Sequence, residues 1–343
     1  MKRAPAHAGR LRPWERMAFA LVFTLMAAFV AVVAVAAATP GGHGLLTGPS
    51  IAANSRTVPA GVARPSTGQP AGNTRAGAAV QRAGGQAAGH TARAKLTLSQ
   101  LDARLNAQLA AALRPVLSAD PGQLSVGVID ADTGAEAAYH ASTRFHAGSI
   151  VTADILAALL YQHQQSGAGI TSKQAELAVK MIEHGSDTAA TGLWRAVGGA
   201  SGVASVNRAL QLRHTSPCSG DYFGLTTTTV ADQLQLLTDL TSARSPLDGA
   251  WQEYELGLMA NVTAGQRWGV SAAATAGTSY AVKDGWLPDP SLWVVSSIGI
   301  VQHDGHALLI AVLSRHSPTK AAGISLVRAA AAAAATVITS PVP

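Results

Sequence analysis

The 343-residue sequence holds a single cysteine, Cys218. That excludes an intramolecular disulfide and any zinc cluster built on several cysteines. Charged residues make up only 13 %, and the acids are unevenly spread. Residues 1–95 contain one acid, Glu15, against eleven Lys/Arg, a net +10. Residues 96–343 carry 14 Lys/Arg against 18 Asp/Glu, a net −4. The overall +6 therefore belongs to the N-terminal segment, and the body is mildly acidic. Proteins that grip nucleic acid neutralise phosphates with a basic body, so nucleic acid is not an expected partner. No glutamate occurs between His184 and Gln252, which matters for the chemistry below.

What is present divides the chain. Residues 1–16 carry Lys2, Arg3, Arg10, Arg12 and Arg16 and read as a cytoplasmic basic segment. Met17 to Ala38 is an unbroken apolar run with Thr24 its only hydroxyl. As a helix it measures roughly 33 Å, enough to cross a bilayer core. The basic flank places the N-terminus inside and the rest outside. The 17–38 run reads as a transmembrane signal-anchor or, given the small residues Ala36-Ala37-Ala38, as a cleaved signal peptide. The expected location is the cell membrane with the domain outside, or secretion after cleavage. Residues 39–95 are mostly Gly, Ala, Pro, Ser, Thr and Arg and lack acids. Such a segment buries too little apolar surface to offset chain entropy and is expected to be a disordered basic linker.

The folded part, 96–343, has its own periodicities. Helix signals begin at Thr97-Leu98-Ser99 and run over Leu101 to Leu117. Leu124 to Ile129 alternates as a strand, Asp130 to Gly134 turns, and Ala135 to His140 returns. Helical patterns follow at 149–163, 172–183, 188–196, 201–210, 228–241 and 251–262. Three strands, Ser279 to Trp286, Leu292 to Gln302 and His306 to Ser314, precede an alanine-rich helix, Ala321 to Ile338. Strands at both ends with helices between them predict an α+β fold with an antiparallel sheet.

One serine stands out. In Phe145-His146-Ala147-Gly148-Ser149-Ile150-Val151-Thr152, Ser149 opens a buried helix. Unpaired backbone N–H groups there, with the helix dipole, stabilise a developing negative charge. On this segment alone the simpler reading is that Ser149 caps the helix.

The whole of 96–343 resembles the class A β-lactamases and penicillin-binding proteins, whose nucleophile motif is Ser-x-x-Lys. The resemblance rests on the order of elements, the serine at the head of a buried helix, and a late Lys-x-Gly strand followed by a hairpin and helix. It implies a five-stranded antiparallel sheet, an all-helical subdomain and an active site in the cleft between them. It also implies β-lactams or peptidoglycan fragments as ligands and requires no cofactor or metal.

The departures are as informative. Thr152 stands where the resemblance expects the lysine that takes the serine proton. A threonine hydroxyl is no base near neutral pH, and a lost general base costs roughly 10²–10⁴ in rate. The Ser-Asp-Asn motif corresponds to Gly185-Ser186-Asp187 when aligned without a gap, which keeps Thr188-Ala189-Ala190 in register. A one-residue slip gives Ser186-Asp187-Thr188 instead. The Lys-Thr-Gly motif appears as Lys283-Asp284-Gly285. Lys283 and Gly285 match the groups that bind ligand, whereas Asp284 is expected to repel a ligand carboxylate. The deacylating glutamate has no counterpart, and Asp221 reads as a turn aspartate. His146 and His184 lie near the motifs but read as structural or solvated, and His303 and His306 flank a turn without metal spacing. Ser149, Thr152 and Ser186 are thus the candidate catalytic positions, with Asp187, Lys283, Asp284 and Gly285 on the binding side. The expected function is an extracytoplasmic, catalytically impaired domain that binds a cell-wall-related ligand or partner. A working serine hydrolase acting through Ser149 and a structural envelope domain are the alternatives.

Overall fold

The computed structural model describes residues 98–119, 123–289 and 291–340. The basic segment 1–16, the apolar run 17–38 and the linker 39–95 lie outside them. The chain enters as α1 (Leu98–Ala119), then forms β1 (Gln123–Asp130) and β2 (Glu136–Tyr139). A two-residue strand β3 (Phe145–His146) leads through a 3₁₀ turn, Gly148–Ile150, into α2 (Val151–Ser166). Then come α3 (Ser172–Ile182), α4 (Asp187–Ala196) and α5 (Gly199–Ala209). Strand β4 (Thr227–Thr228), α6 (Val230–Asp239) and α7 (Gly249–Ala260) complete the helical region. The chain closes with β5 (Tyr280–Asp289), β6 (Leu292–His303), β7 (His306–Ser317) and α8 (Lys320–Thr339).

The expected α+β class and five-stranded antiparallel sheet are both present, with strand order β2-β1-β7-β6-β5. Because β1 inserts beside β7, the two ends of the chain build one sheet. Helices α1 and α8 cover one face, and α6 packs on β1 and β7 from the other. Helix α8 is apolar and long enough to cross a membrane by length and composition. Its Leu326, Val327, Ala330 and Ala334 are instead buried as part of the core.

Helix α2 is buried over ten consecutive residues, Val151 to Leu160. A helix apolar on all sides belongs in a core, and α2 is the centre of the helical subdomain. The β3–β4 ribbon pairs Phe145 with Thr228 and His146 with Thr227. It escaped sequence reading because a two-residue strand carries no periodicity. Its work is local: it fixes the approach to the head of α2.

The hairpin turns at the far end of the sheet are tied together. Asp130 Oδ2 accepts from Thr133 Oγ1 and lies 3.1 Å from His306 Nδ1, and Asp132 Oδ2 accepts from Ala307 N. Asp130, Asp132 and His306 are near enough to share a cation, a grouping that sequence spacing did not reveal. The turn bonds already engage all three residues.

Candidate functional site

The site is built where the head of α2 meets β5. Ala147 N donates to Thr226 O at 2.8 Å, and His146 Nδ1 lies 3.0 Å from Leu225 O. These contacts hold the segment before Ser149 to the 225–226 turn. The chain then bends through Gly148 at φ +59°, a left-handed conformation that glycine adopts without strain. On the other side, β5 comes so close at Gly285 that an added Cβ would lie 2.6 Å from the backbone nitrogens of both Ser149 and Ile150. Only a residue without a side chain allows this approach. Gly285 therefore presses the strand onto the N–H groups that open α2.

Ser149 is not the cap that the sequence alone suggested. The head of α2 has no side-chain cap, and Ser149 Oγ has no hydrogen-bond partner among the described residues. The contrast with Ser186 is direct. Ser186 Oγ accepts from Ala189 N at 3.3 Å and caps α4. Its capping role favours the gapless reading, in which Gly185 stands at the bridging serine position. The space at Gly185 is taken by another residue: an added Cβ would meet the Gln266 carboxamide at 2.7–2.9 Å.

Thr152 is buried, and its Oγ1 donates to Ser149 O at 2.8 Å. The hydroxyl is spent on its own helix and carries no charge toward Ser149.

Strand alternation separates Lys283 from Asp284. Gly285 faces Ser149, so Lys283, two residues earlier, lies on that same face. Lys283 is fully buried at 0 % exposure, and its Nζ donates to Asp284 O at 3.0 Å. Burial pushes its ammonium down to about 8, while the charges of Asp284 and Asp187 pull it up. The Asp284 carboxylate points to the opposite face. There it accepts from Trp268 N at 2.7 Å and Gly269 N at 3.1 Å, and Ser297 Oγ donates to it. The expected repulsion of a ligand by Asp284 is therefore not what the geometry shows: the carboxylate anchors the 268–269 turn. Burial raises its carboxyl above the usual range, opposed by the Ser297 bond, the two backbone N–H groups and Lys283.

Asp221, His146 and His184, the groups noted near the motifs, are all exposed. Asp221 is ion-paired with Arg195 on the surface. His146 is exposed and directed at Leu225 O, and His184 is exposed beside Glu183.

A buried polar layer behind Ser149 went unrecognised in the sequence. Asp154, 1 % exposed, receives the Gln233 Nε2 donor at 3.3 and 3.4 Å, and Gln233 also reaches Thr228 Oγ1 at 3.1 Å. Glu255 on α7 is fully buried with both carboxyl oxygens unpartnered, and its pKa is pushed well above the usual range by burial and by Asp154. Burial raises Asp154 to about 7. The signal was available as Asp154 inside an apolar run.

An uncommitted serine hydroxyl at the head of a buried helix, a lysine and glycine on the adjoining edge strand, and a sheet flanked by a helical subdomain define the penicillin-recognising serine hydrolase class. The chain belongs to the β-lactamase enzyme family, whose sequence profile matches residues 162–338. That match covers the 185–187 and 283–285 segments but begins after Ser149. Solved structures share the fold. A class A β-lactamase from Bacteroides cellulosilyticus superposes with TM-score 0.59 at 14 % identity, covering 68 % of this chain and 98 % of its own. A β-lactamase from Xanthomonas campestris gives 0.56 at 18 %, covering 68 % and 97 %. A class A β-lactamase from Mycobacterium abscessus gives 0.56 at 20 %, covering 67 % and 97 %. No curated protein matches the chain in sequence.

Proposed function

We propose that the chain is an extracytoplasmic β-lactamase-like domain that binds a cell-wall-related ligand, a peptidoglycan fragment or a β-lactam, at Ser149 without efficient turnover. The apolar run 17–38 supports a membrane tether. The observation that carries the loss of turnover is the Thr152 hydroxyl, which donates to Ser149 O in the place of a base. Acyl transfer from Ser149 needs a group that removes the Oγ proton as the bond to the acyl carbon forms. The neutral Thr152 hydroxyl is a donor here, and Asp221, His146 and His184 are directed elsewhere or lie apart. What remains suits recognition: Ser149 Oγ is uncommitted, the head of α2 offers N–H groups, and Gly285 brings the strand backbone alongside.

Lys283 supports the same reading. A fully buried ammonium costs the fold stability, so its place is not explained by folding alone. The second reading, a working serine hydrolase, is favoured by the uncommitted Ser149 hydroxyl.

Incubation of the full-length chain with a fluorescent penicillin, read by intact mass, separates the two. The expected result is no covalent adduct in the wild type over hours, matching Ser149→Ala. Labelling of the wild type that disappears in Ser149→Ala would establish the hydrolase reading instead.

A further inference from the structure

Among the described residues, large apolar side chains are buried or half-buried, with two exceptions. Tyr222 is 71 % exposed and Leu225 is 37 % exposed. Both lie on one loop, and Leu225 N donates to Tyr222 O at 2.9 Å to close a turn between them. Single exposed apolar residues are ordinary on a protein surface. What sets this pair apart is its place.

The turn lies against the segment that carries Ser149. His146 Nδ1 is 3.0 Å from Leu225 O, and Ala147 N donates to Thr226 O at 2.8 Å. An added Cβ on Gly224 would come within 3.9 Å of Gly148 Cα and its carbonyl carbon. On its other side Gly148 meets β5, where an added Cβ would lie 3.1–3.2 Å from the Trp286 backbone. The head of α2 is therefore flanked by β5 and by the 222–225 turn.

The loop is also held. Trp194 Nε1 donates to Gly220 O at 2.8 Å, and Arg195 pairs with Asp221. Phe223 is buried beside Trp194, and Cys218 N donates to Thr226 Oγ1 at 3.3 Å. The Tyr222 ring rests over Gly220, where an added Cβ would meet it at 3.6 Å. From Tyr222 to Thr229 the chain carries no charged residue. A loop fixed in this way has already lost its conformational freedom, yet it leaves two apolar side chains in water. A ligand group that covers them gains the burial without the cost of ordering the loop.

We propose that Tyr222 and Leu225 form an apolar subsite of the Ser149 site, which selects ligands carrying an aryl or bulky alkyl group. The proposal rests on the ligand-binding reading above and names the ligand chemistry of the same site.

The test uses two penicillins of equal charge: benzylpenicillin and its analogue in which a methyl group replaces the benzyl group. Binding to the full-length chain is measured by calorimetry. The wild type is expected to bind benzylpenicillin at least about tenfold more tightly, a preference that added salt leaves in place. Tyr222→Ala combined with Leu225→Ala reduces the preference to about twofold or less, and Tyr222→Ala alone reduces it at least about threefold. Circular dichroism and thermal melts check that the variants fold, and the ratio between two probes on one protein cancels any general loss of binding. Tyr222→Phe keeps the ring and retains the preference; loss there would make a hydroxyl bond the cause and overturn the apolar subsite. Equal affinity of the wild type for the two penicillins overturns the proposal, as does a preference for the methyl analogue. A preference undiminished in the double variant also overturns it, while leaving the ligand-binding reading intact. Failure of the wild type to bind either penicillin contradicts that reading and the proposal with it.

Discussion

Asp154→Asn is expected to stabilise the folded domain by about 2–4 kcal/mol at pH 8, a shift in Tm of about 5–10 °C. The carboxyl of Asp154 is raised to about 7 because burial disfavours its charge. A carboxyl whose folded value is raised binds its proton more tightly in the native state. The native state therefore has its full advantage below about pH 4. It loses about 1.4 kcal/mol per pH unit between there and about 7, and is level above that. Asparagine removes the titration. Its carbonyl still accepts from Gln233 Nε2, and its amide supplies a donor close to Glu255, whose oxygens have no partner. The gain should fade as the pH falls toward 4, where the native carboxyl is neutral. Thermal melts of wild type and variant at pH 4, 6 and 8 check this. A variant that is less stable at pH 8 would mean that the charged carboxylate is being held by the fold.

Lys283→Met is the second large effect, with the opposite pH dependence. Burial lowers the Lys283 ammonium from its ordinary 10.5 to about 8. For a cation with a lowered folded value, stability is reduced below about pH 8 and recovers as the pH rises toward 10.5. Methionine has a similar length and no charge. It is expected to add about 2–3 kcal/mol at pH 7, after about 1 kcal/mol is deducted for the lost bond to Asp284 O. The gain should vanish near pH 10.5. Chemical denaturation at pH 7 and 10 reads it, and ligand binding by the variant should fall. A destabilised Lys283→Met at pH 7 would make the lysine a structural residue and remove one support of the functional reading.

Much of the fold was legible because long periodic segments carry their own signal. Helices 172–183 and 188–196 are found as Ser172–Ile182 and Asp187–Ala196, with Thr171 and Ser186 as their caps. Strand β5 was harder to bound. It runs past Trp286 through Pro288 to Asp289, as an edge strand tolerates proline. The site was legible in position more than in role. Gly285 lies against the Ser149 backbone, and strand alternation puts Lys283 on the same face of β5. Which hydroxyl was free was not readable, because Ser149 and Ser186 both open helices and only geometry shows that one caps and the other does not. The direction of Asp284 followed from strand alternation, which a motif copied from a resemblance hides. The polar layer of Asp154, Gln233 and Glu255 joins three helices far apart in sequence, so Asp154 inside its apolar run marks one member and not its partners.

The central claim is that Ser149 keeps its hydroxyl and has lost its proton acceptor. A fluorophosphonate tests this most directly. It reacts with activated serines and carries no carboxylate, so a null result reports on the nucleophile and not on ligand charge. The full-length chain is exposed to the reagent at pH 7.5 and followed by intact mass and peptide mapping. The account predicts that Ser149 gains no phosphonyl group faster than Ser149→Ala gains background label. Stoichiometric modification of Ser149 within minutes would contradict it, since only a serine with a working base reacts so fast.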